Sequence, residues 1–454
     1  MLPKNLHYQN KVEAASARAY TTAIQPQNGT GPYGNGNTII INIPTTNNTV
    51  LVPSESFLKF DLGGITNGAN ASTYIRLDKA GAHGVIQRLR ILHGSQEIEN
   101  LDNYGPWVGE LMSLQQSSDS CLGKLNIMNG LSNTFLHNAT TKETFPALVG
   151  ERLTPQGGAS LAGGNTPASR TYAINLMSMV GSLSPQYIPL YKMTAAPLSI
   201  NIQLVSSALK IVNPAVALAA GTPFTVSNVE FIGSFIELSD DSVATIEQSL
   251  GGQPLQYVVQ SYSNYSYNAT LGTAATQVNP PIPFKYASLR SIFCIIRGNP
   301  DGAAGYFSQS SNHFYLSDWR VRIGSQLIPS KAPNSMVEHF AELIKAIGSL
   351  SDINHEPTLN MYTYNVPVPV ASTETNALIN ETVKSDCFAL GFDLESYSGA
   401  DKEKLFAGMN TLNADMFWTL NHAAQGGATA VRYDFYALYD TVLVCENGQM
   451  YYRR

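Results

Sequence analysis

The feature that most constrains this fold is a residue pattern that occurs twice along the 454-residue chain. Arg88-Leu89-Arg90-Ile91 precedes Gly94-Ser95-Gln96, and Arg320-Val321-Arg322-Ile323 runs directly into Gly324-Ser325-Gln326. The two copies keep a near-constant offset in residue number. A repeat of this length is too long for a solenoid and indicates two copies of a domain of about 200 residues.

Each copy continues with apolar residues spaced for one face of a helix. Trp107, Val108, Leu111 and Leu114 in the first copy match Met336, Val337, Phe340 and Leu343 in the second. We expect each helix to dock on the sandwich of its own copy. The anchoring side chains would be Trp107 and Leu111 in the first helix, and Phe340 and Leu343 in the second.

Most of the other apolar segments are short and alternate with polar residues. Residues 198–204 are the clearest, with four apolar positions at a period of two, which predicts a strand with one buried face. Each copy ends in a strongly apolar strand, at 229–238 and 431–444. Many short strands with long loops predict an all-β protein, in which each copy folds eight strands into a jelly-roll sandwich.

Glycine, proline and polar stretches suggest how the chain is divided. Residues 1–37 are polar and glycine-rich and are predicted to form an N-terminal arm. The first jelly roll is predicted over 38–242 and the second over 256–454. Between them, 243–255 contains Gly251-Gly252-Gln253-Pro254 and is predicted to be a linker.

The charge content argues against a nucleic-acid-binding protein. Charged residues make up 13% of the chain, and 27 Lys and Arg stand against 33 Asp and Glu. Sequence-specific nucleic-acid binding is therefore not expected, because neutralising phosphates requires clustered cations. The four cysteines and eight histidines are scattered without metal-ligand spacing, so neither a metal nor a cofactor is predicted.

Two motifs resemble catalytic or binding sequences. Residues 29–34 match GxGxxG, but a strand rather than a helix is predicted to follow, so no helix N-terminus is available for a phosphate. Asp393 and Glu395 lie two residues apart, which places both carboxylates on one face of a strand, as some jelly-roll glycosidases require. The alternative is that they form the solvated face of a half-buried strand, and no catalytic residue is predicted.

The order of these segments resembles that of the double-jelly-roll major capsid proteins of icosahedral double-stranded DNA viruses, particularly those of polinton-like viruses and virophages. The segments that carry the resemblance are 52–60, the two Arg-x-Arg-Ile…Gly-Ser-Gln blocks, 197–202 and 435–443. The resemblance extends over nearly the whole chain after residue 38 and implies two tandem eight-stranded jelly rolls with short inserted helices.

The resemblance also implies a structural role in the virion. Such proteins form homotrimers, and the six lobes of a trimer make a pseudo-hexagonal capsomer that tiles the capsid beside neighbouring capsomers, penton proteins and minor capsid proteins. By the same resemblance, the arm with Lys4, Lys11 and Arg18 would lie on the inner face, near an internal membrane or the genome. A frayed terminus is the alternative for the arm.

Two other functions are compatible with a pair of β-sandwiches. One is a carbohydrate-binding protein, such as a lectin or adhesin. The other is a carbohydrate-processing enzyme that uses Asp393 and Glu395. A trimer without a stable monomer favours the capsid protein, whereas a folded monomer that binds glycans favours the lectin.

Overall fold

A computed structural model of the chain describes most of the residues on which the fold depends. The described residues are 17–65, 75–117, 119–120, 123–137, 144–150, 169–184, 186–214, 221–299, 309–348, 359, 361–365, 375–376, 381–382, 387–396 and 407–453.

The chain is predominantly β-structure and forms two lobes. The strands of the first lobe are β1 (Ala17–Ile24), β2 (Thr38–Ile43), β3 (Thr49–Gly63), β4 (Ile75–Leu77), β5 (Ile86–His93), β6 (Gln96–Asp102), β7 (Leu131–His137), β8 (Thr144–Gly150), β9 (Arg170–Ile174), β10 (Leu198–Leu204), β11 (Val212–Pro214) and β12 (Thr225–Leu238). Its helices are α1 (Tyr104–Gln115) and α2 (Lys124–Asn129), and α3 (Asp240–Leu250) leads to the second lobe.

The second lobe repeats this arrangement. Its strands are β13 (Leu255–Leu271), β14 (Thr276–Val278), β15 (Pro281–Ile282), β16 (Ser288–Gly298), β17 (Leu316–Ile323), β18 (Gln326–Ile328), β19 (Thr375–Asn376), β20 (Glu381–Thr382), β21 (Ala389–Asp393), β22 (Met416–His422), β23 (Thr429–Glu446) and β24 (Gln449–Arg453). Its helices are α4 (Met336–Ile347) and α5 (Met361–Tyr364).

Four antiparallel sheets form two sandwiches with the same strand order. In the first lobe, sheet I has the order β1-β12-β3-β9 and sheet II the order β2-β10-β5-β6. In the second lobe, sheet III has the order β13-β23-β16-β21 and sheet IV the order β14-β22-β17-β18. The two sheet orders of each lobe name eight strands. Counted along the chain, the first, third, sixth and eighth of these strands form one sheet, and the other four form the second. The prediction of two tandem jelly rolls is confirmed.

The repeated Gly-Ser-Gln block has the same structural role in both lobes. It makes the two-residue turn of a hairpin, in which His93 pairs with Gln96 and Ile323 pairs with Gln326. The first turn residue has a positive φ, 60° at Gly94 and 58° at Gly324. Glycine adopts this backbone conformation without the steric cost of a Cβ atom, which explains why both copies have it there.

The core of each lobe is built from the facing sides of its two sheets. In the second lobe, the indole of Trp418 on sheet IV lies 5.3 Å from Trp319 and 5.5 Å from Phe435 of sheet III, measured between ring centroids. Strand β16 is buried at every position. Its residues 292–296 are a continuous apolar run because helices cover the side of sheet III that faces away from the core.

The segment predicted as an N-terminal arm is in part a strand of the first lobe. Residues 17–24 form β1, which pairs with β12 along its whole length. The GxGxxG segment that follows is tied to β12 as well, through a pair of backbone hydrogen bonds between Tyr33 and Val226. The sequence pattern did not predict β1, because six of its eight residues are exposed and only Tyr20 and Ile24 reach the core.

The segment predicted as a linker at 243–255 contains most of helix α3 and the first residue of β13. Ser239 caps this helix by accepting a hydrogen bond from the backbone N–H of Ser242 at 3.2 Å, and Gly251 ends it with a positive φ. Asp240 and Asp241 lie in the first turn, where negative charge stabilises the helix dipole.

Helix α4 lies directly on β21 of its own lobe. Ser335 caps the helix and accepts a hydrogen bond from the backbone N–H of Glu338 at 3.3 Å. Gly391 allows the close approach, because a Cβ atom there would lie 2.7 Å from Leu343 Cδ1 and 3.0 Å from Leu343 Cα.

We therefore expect Gly391→Ala to destabilise the protein by about 1–3 kcal/mol, the usual cost of overpacking a filled core. The shift in the denaturation midpoint at fixed chain concentration measures this cost. Gly426→Ala is the matched control, since a Cβ atom there would meet no heavy atom within 4 Å. Equal midpoints for the two variants would contradict the close packing of α4.

Candidate functional site

The junction between the two lobes is an extensive contact surface among the described residues. Trp107 of α1 is fully buried there. Its indole lies 4.5 Å from Tyr436 with the rings nearly parallel, 4.9 Å from Phe293 and 5.3 Å from Tyr262, measured between ring centroids. These three aromatic residues belong to β23, β16 and β13 of sheet III. The first lobe thus inserts its helix into the outer face of the second.

This position differs from the predicted docking of Trp107 on its own sandwich. Helix α1 is nearly surrounded by protein, with Leu111 and Leu114 also buried. It touches the first lobe through Gly105 and Gly109, which lie close to Gly84 and Ala80. Helical spacing identifies an apolar face, but it does not identify the surface that covers it.

Polar contacts surround the aromatic cluster. The hydroxyl of Tyr436 donates to the carbonyl oxygen of Asn103 at 3.0 Å. The side-chain amide of Asn103 donates to Asn264 Oδ1 and Ser266 Oγ of β13, both at 3.2 Å. Asn103 precedes α1 with a φ of 48°, a conformation that asparagine tolerates better than most residues.

Glu99 of β6 is a buried carboxylate that joins the lobes. Its two oxygens accept hydrogen bonds at 2.6 Å from Ser178 Oγ in the first lobe and Ser261 Oγ in the second, and the backbone N–H of Met179 donates at 3.0 Å. Burial raises the pKa of Glu99, although these hydrogen bonds oppose the shift.

A buried ion pair lies on the other side of α1. Lys79 Nζ is 2.6 Å from Glu110 Oε2, and both side chains are almost completely shielded from solvent. Ser311 of the second lobe donates to the same carboxylate oxygen at 3.1 Å. Burial by itself would lower the pKa of Lys79, but Cys387 and Glu110 outweigh it and raise that pKa.

Asp78 extends this charged cluster. Burial raises its pKa to about 6, against the opposing effect of Lys79.

Gln309 of the second lobe accepts a hydrogen bond from the backbone N–H of Ala80 at 2.9 Å and donates to the carbonyl of Lys210 at 3.2 Å. The segment at 309–311 therefore holds two parts of the first lobe together.

The end of the chain adds a further contact between the lobes. The hairpin of β23 and β24 reaches the first lobe, where the backbone N–H of Met450 donates to His93 Nδ1 at 3.1 Å. The backbone N–H of Ala195 donates to the carbonyl of Gly448 at 3.0 Å. Among the described strands, β7 of the first lobe also pairs with β19 of the second.

The remaining predicted anchors, Phe340 and Leu343, lie on α4. Leu343 is fully buried against β21 of its own lobe. Phe340 is half-buried, with its ring edge-on to Tyr364 at a centroid distance of 5.1 Å. The two helices thus occupy different sites on the same sheet, since α1 and α4 both cover the outer face of sheet III.

Asp393 and Glu395 line a cavity of about 420 Å³ between α1 and α4. The carboxylate of Glu395 forms a buried ion pair with Arg290, which also lies 3.5 Å from Asp440. Asp393 Oδ1 accepts a hydrogen bond from the backbone N–H of Glu395 at 2.9 Å. Both carboxylates are thus engaged in local contacts that stabilise the end of β21.

Of the three residues predicted as arm contacts, only Arg18 lies within the described residues. Arg18 is exposed on β1, while Lys4 and Lys11 lie outside the described residues. Within the described part of the chain, no group of three or more His, Cys, Asp or Glu side chains is arranged to hold a metal ion. The described helices include none that is both long and apolar enough to span a membrane.

Sequence reasoning missed Lys79, Glu99 and Glu110. Glu99 is the third residue after the repeated Gly-Ser-Gln block, and Glu110 lies between apolar residues of α1. Helix α1 is apolar on most sides, which indicates a helix that is buried all round. The single carboxylate in such a helix could therefore have been predicted to be buried.

Comparisons with known proteins find similar folds among solved structures. No protein-family model matches the chain, and a search of the curated proteins finds no match. Among solved structures, the cryo-EM structure of the Sputnik virophage matches with a TM-score of 0.60 at 10% identity, covering 100% of this chain and 92% of the other. The crystal structure of PBCV-1 VP54, fitted into a reconstruction of Sputnik, matches with a TM-score of 0.59 at 11% identity over 99% of both chains. The Faustovirus major capsid protein matches with a TM-score of 0.57 at 10% identity, over 96% of this chain and 92% of the other.

Proposed function

We propose that this chain is the major capsid protein of an icosahedral double-stranded DNA virus, and that three copies form a pseudo-hexagonal capsomer. The observation that carries the proposal is the duplicated lobe. Two sandwiches with one strand order let a three-fold assembly present six similar lobes, which is the shape that tiles a flat facet.

The structural similarity supports this reading. The structures of the Sputnik virophage and of the Faustovirus major capsid protein match 100% and 96% of this chain, so both lobes lie within the matched region. The buried junction between the lobes also supports it, since a capsomer requires both lobes to hold one fixed orientation. The lectin alternative has no comparable observation in its favour.

In this role the protein would reside in the virion and contact neighbouring capsomers, penton proteins and minor capsid proteins. We place the segment before β1, together with the start of β1, on the inner face of the shell, where Lys4, Lys11 and Arg18 would meet a membrane or the genome. We propose no catalytic role, because Asp393 and Glu395 are engaged in local contacts.

Purification of the full chain tests the proposal. Size-exclusion chromatography with light scattering should give a mass three times that of the chain, without a stable monomer. Electron microscopy of the concentrated protein should show six-lobed particles. A folded monomer at all concentrations would contradict the capsid function.

A further inference from the structure

The junction inside the chain has two sides that can be described separately. One side is the corner of the first lobe formed by β6 and α1, which carries Trp107. The other is the outer face of sheet III, which presents Tyr262, Phe293 and Tyr436. This face points away from the core of its own lobe because Phe435, the neighbour of Tyr436, packs on Trp418 inside it.

The second lobe has its own copy of the corner, formed by β18 and α4. These elements follow the turn of the repeated hairpin, just as β6 and α1 do in the first lobe. Here the corner is bare, since Val337 is 79% exposed and Leu327 is 54% exposed. The aligned residue of Val337 is Val108, which is fully buried.

The first lobe has its own copy of the receiving face, on strands β1 and β12 of sheet I. Phe235 faces the core and stacks on Tyr20 at 5.6 Å, so the alternate residues face outward. Ala17, Ala19 and Ala23 on β1 pair directly with Leu238, Ile236 and Ile232 on β12. The alanines are exposed and their partners are half-exposed.

The composition of this outward face, the β1–β12 patch, is unusual for a sheet in contact with water. A solvated sheet face is normally polar. Between Ala19 and Ala23 the same face carries one more pair, Thr21 and Ser234, and both residues are uncharged. The patch therefore has the composition of the centre of an interface, from which charged residues are depleted.

We propose that the β18–α4 corner of one copy packs on the β1–β12 patch of a second copy of this chain. The contact would repeat between chains the one that β6 and α1 make with sheet III inside the chain. It joins two different surfaces, so it is a head-to-tail contact that closes into a ring when the rotation fits. The inference rests on the proposed trimer and identifies the surfaces that hold it.

Two variants test the two surfaces separately. Ala19→Arg places a charge on the β1–β12 patch, and Val337→Glu places one on the β18–α4 corner. We expect each variant to be a monomer at concentrations at which the unaltered chain is a trimer, because an unpaired charge is costly to bury. Ile127→Glu is the matched control, since Ile127 is an apolar side chain, 74% exposed, on α2 and outside both surfaces.

Mixing the two variants tests the head-to-tail geometry. The Ala19→Arg chain keeps an intact corner, and the Val337→Glu chain keeps an intact patch. One chain of each kind can therefore form a single good contact. We expect the equimolar mixture to give a dimer of twice the chain mass, detected by light scattering or crosslinking, while each variant alone remains a monomer.

Each outcome decides between the proposals. A monomeric unaltered chain would overturn the capsomer itself. A trimer that persists in both variants would leave the capsomer standing and overturn these two surfaces. Loss of stability with an intact trimer in Ala19→Arg would show that residues of the same chain cover the patch. If either variant misfolds by circular dichroism, Ile236→Glu and Leu327→Lys test the same surfaces.

Discussion

Trp107→Ala is expected to destabilise the protein by about 3–5 kcal/mol, the usual cost of truncating a fully buried tryptophan. The indole fills the space between three aromatic rings of the second lobe, so its removal leaves a cavity at the junction rather than inside one lobe. We therefore expect the two lobes to loosen from each other. Hydrogen exchange measured by mass spectrometry should increase in α1 and β13 before it increases in β17 and β22.

Two variants control for the general effect of losing an aromatic residue. Trp319→Ala removes an equally buried indole from the interior of the second lobe, and its exchange should increase in β17 and β22 first. Trp107→Phe should cost less than Trp107→Ala, since the phenyl ring fills part of the space and Nε1 of Trp107 has no hydrogen-bond partner among the described residues. Unchanged stability and exchange in Trp107→Ala would show that the ring does not hold the lobes together.

The duplicated fold could be predicted from sequence because it depends on short-range signals. The Gly94 and Gly324 turns, the alternation at Leu198–Leu204 and the spacing of Met336 to Leu343 each reflect local backbone geometry. They occur in the same order twice, so the second copy supports the interpretation of the first. The hairpin turns and the apolar face of α4 follow from these local patterns.

The junction could not be predicted in the same way. The partner of Trp107 is set by how one lobe packs on the other, which no local period encodes. The same applies to Glu110, whose carboxylate accepts a hydrogen bond from Ser311 of the second lobe. Strand β1 was missed for a different reason: an edge strand with exposed alanines and threonines has no alternation of polar and apolar residues to recognise.

Lys79→Met is the second substitution with a large expected effect, and we expect it to cost about 3–5 kcal/mol. The variant leaves the Glu110 carboxylate buried without its cation, retaining the hydrogen bond from Ser311 Oγ. In the double variant Lys79→Met with Glu110→Gln, neither charge remains, and the amide oxygen of the glutamine still accepts from Ser311. The double variant should therefore recover most of the lost stability, because replacing both partners of a buried pair is often close to neutral.

A double-mutant cycle over the two single variants and the double variant measures this coupling. The partly exposed pair of Lys345 and Glu342, with Nζ and Oε1 2.7 Å apart, is the matched control, and Lys345→Met should change the free energy of unfolding by less than about 1 kcal/mol. Additive effects at Lys79 and Glu110 would contradict a coupled pair. An unpaired carboxylate is costly at Glu110 because α1 is buried between the two lobes. Strong coupling between Lys79 and Glu110, together with a weak effect at Lys345, would therefore mean that this ion pair stabilises α1 in its position between the lobes.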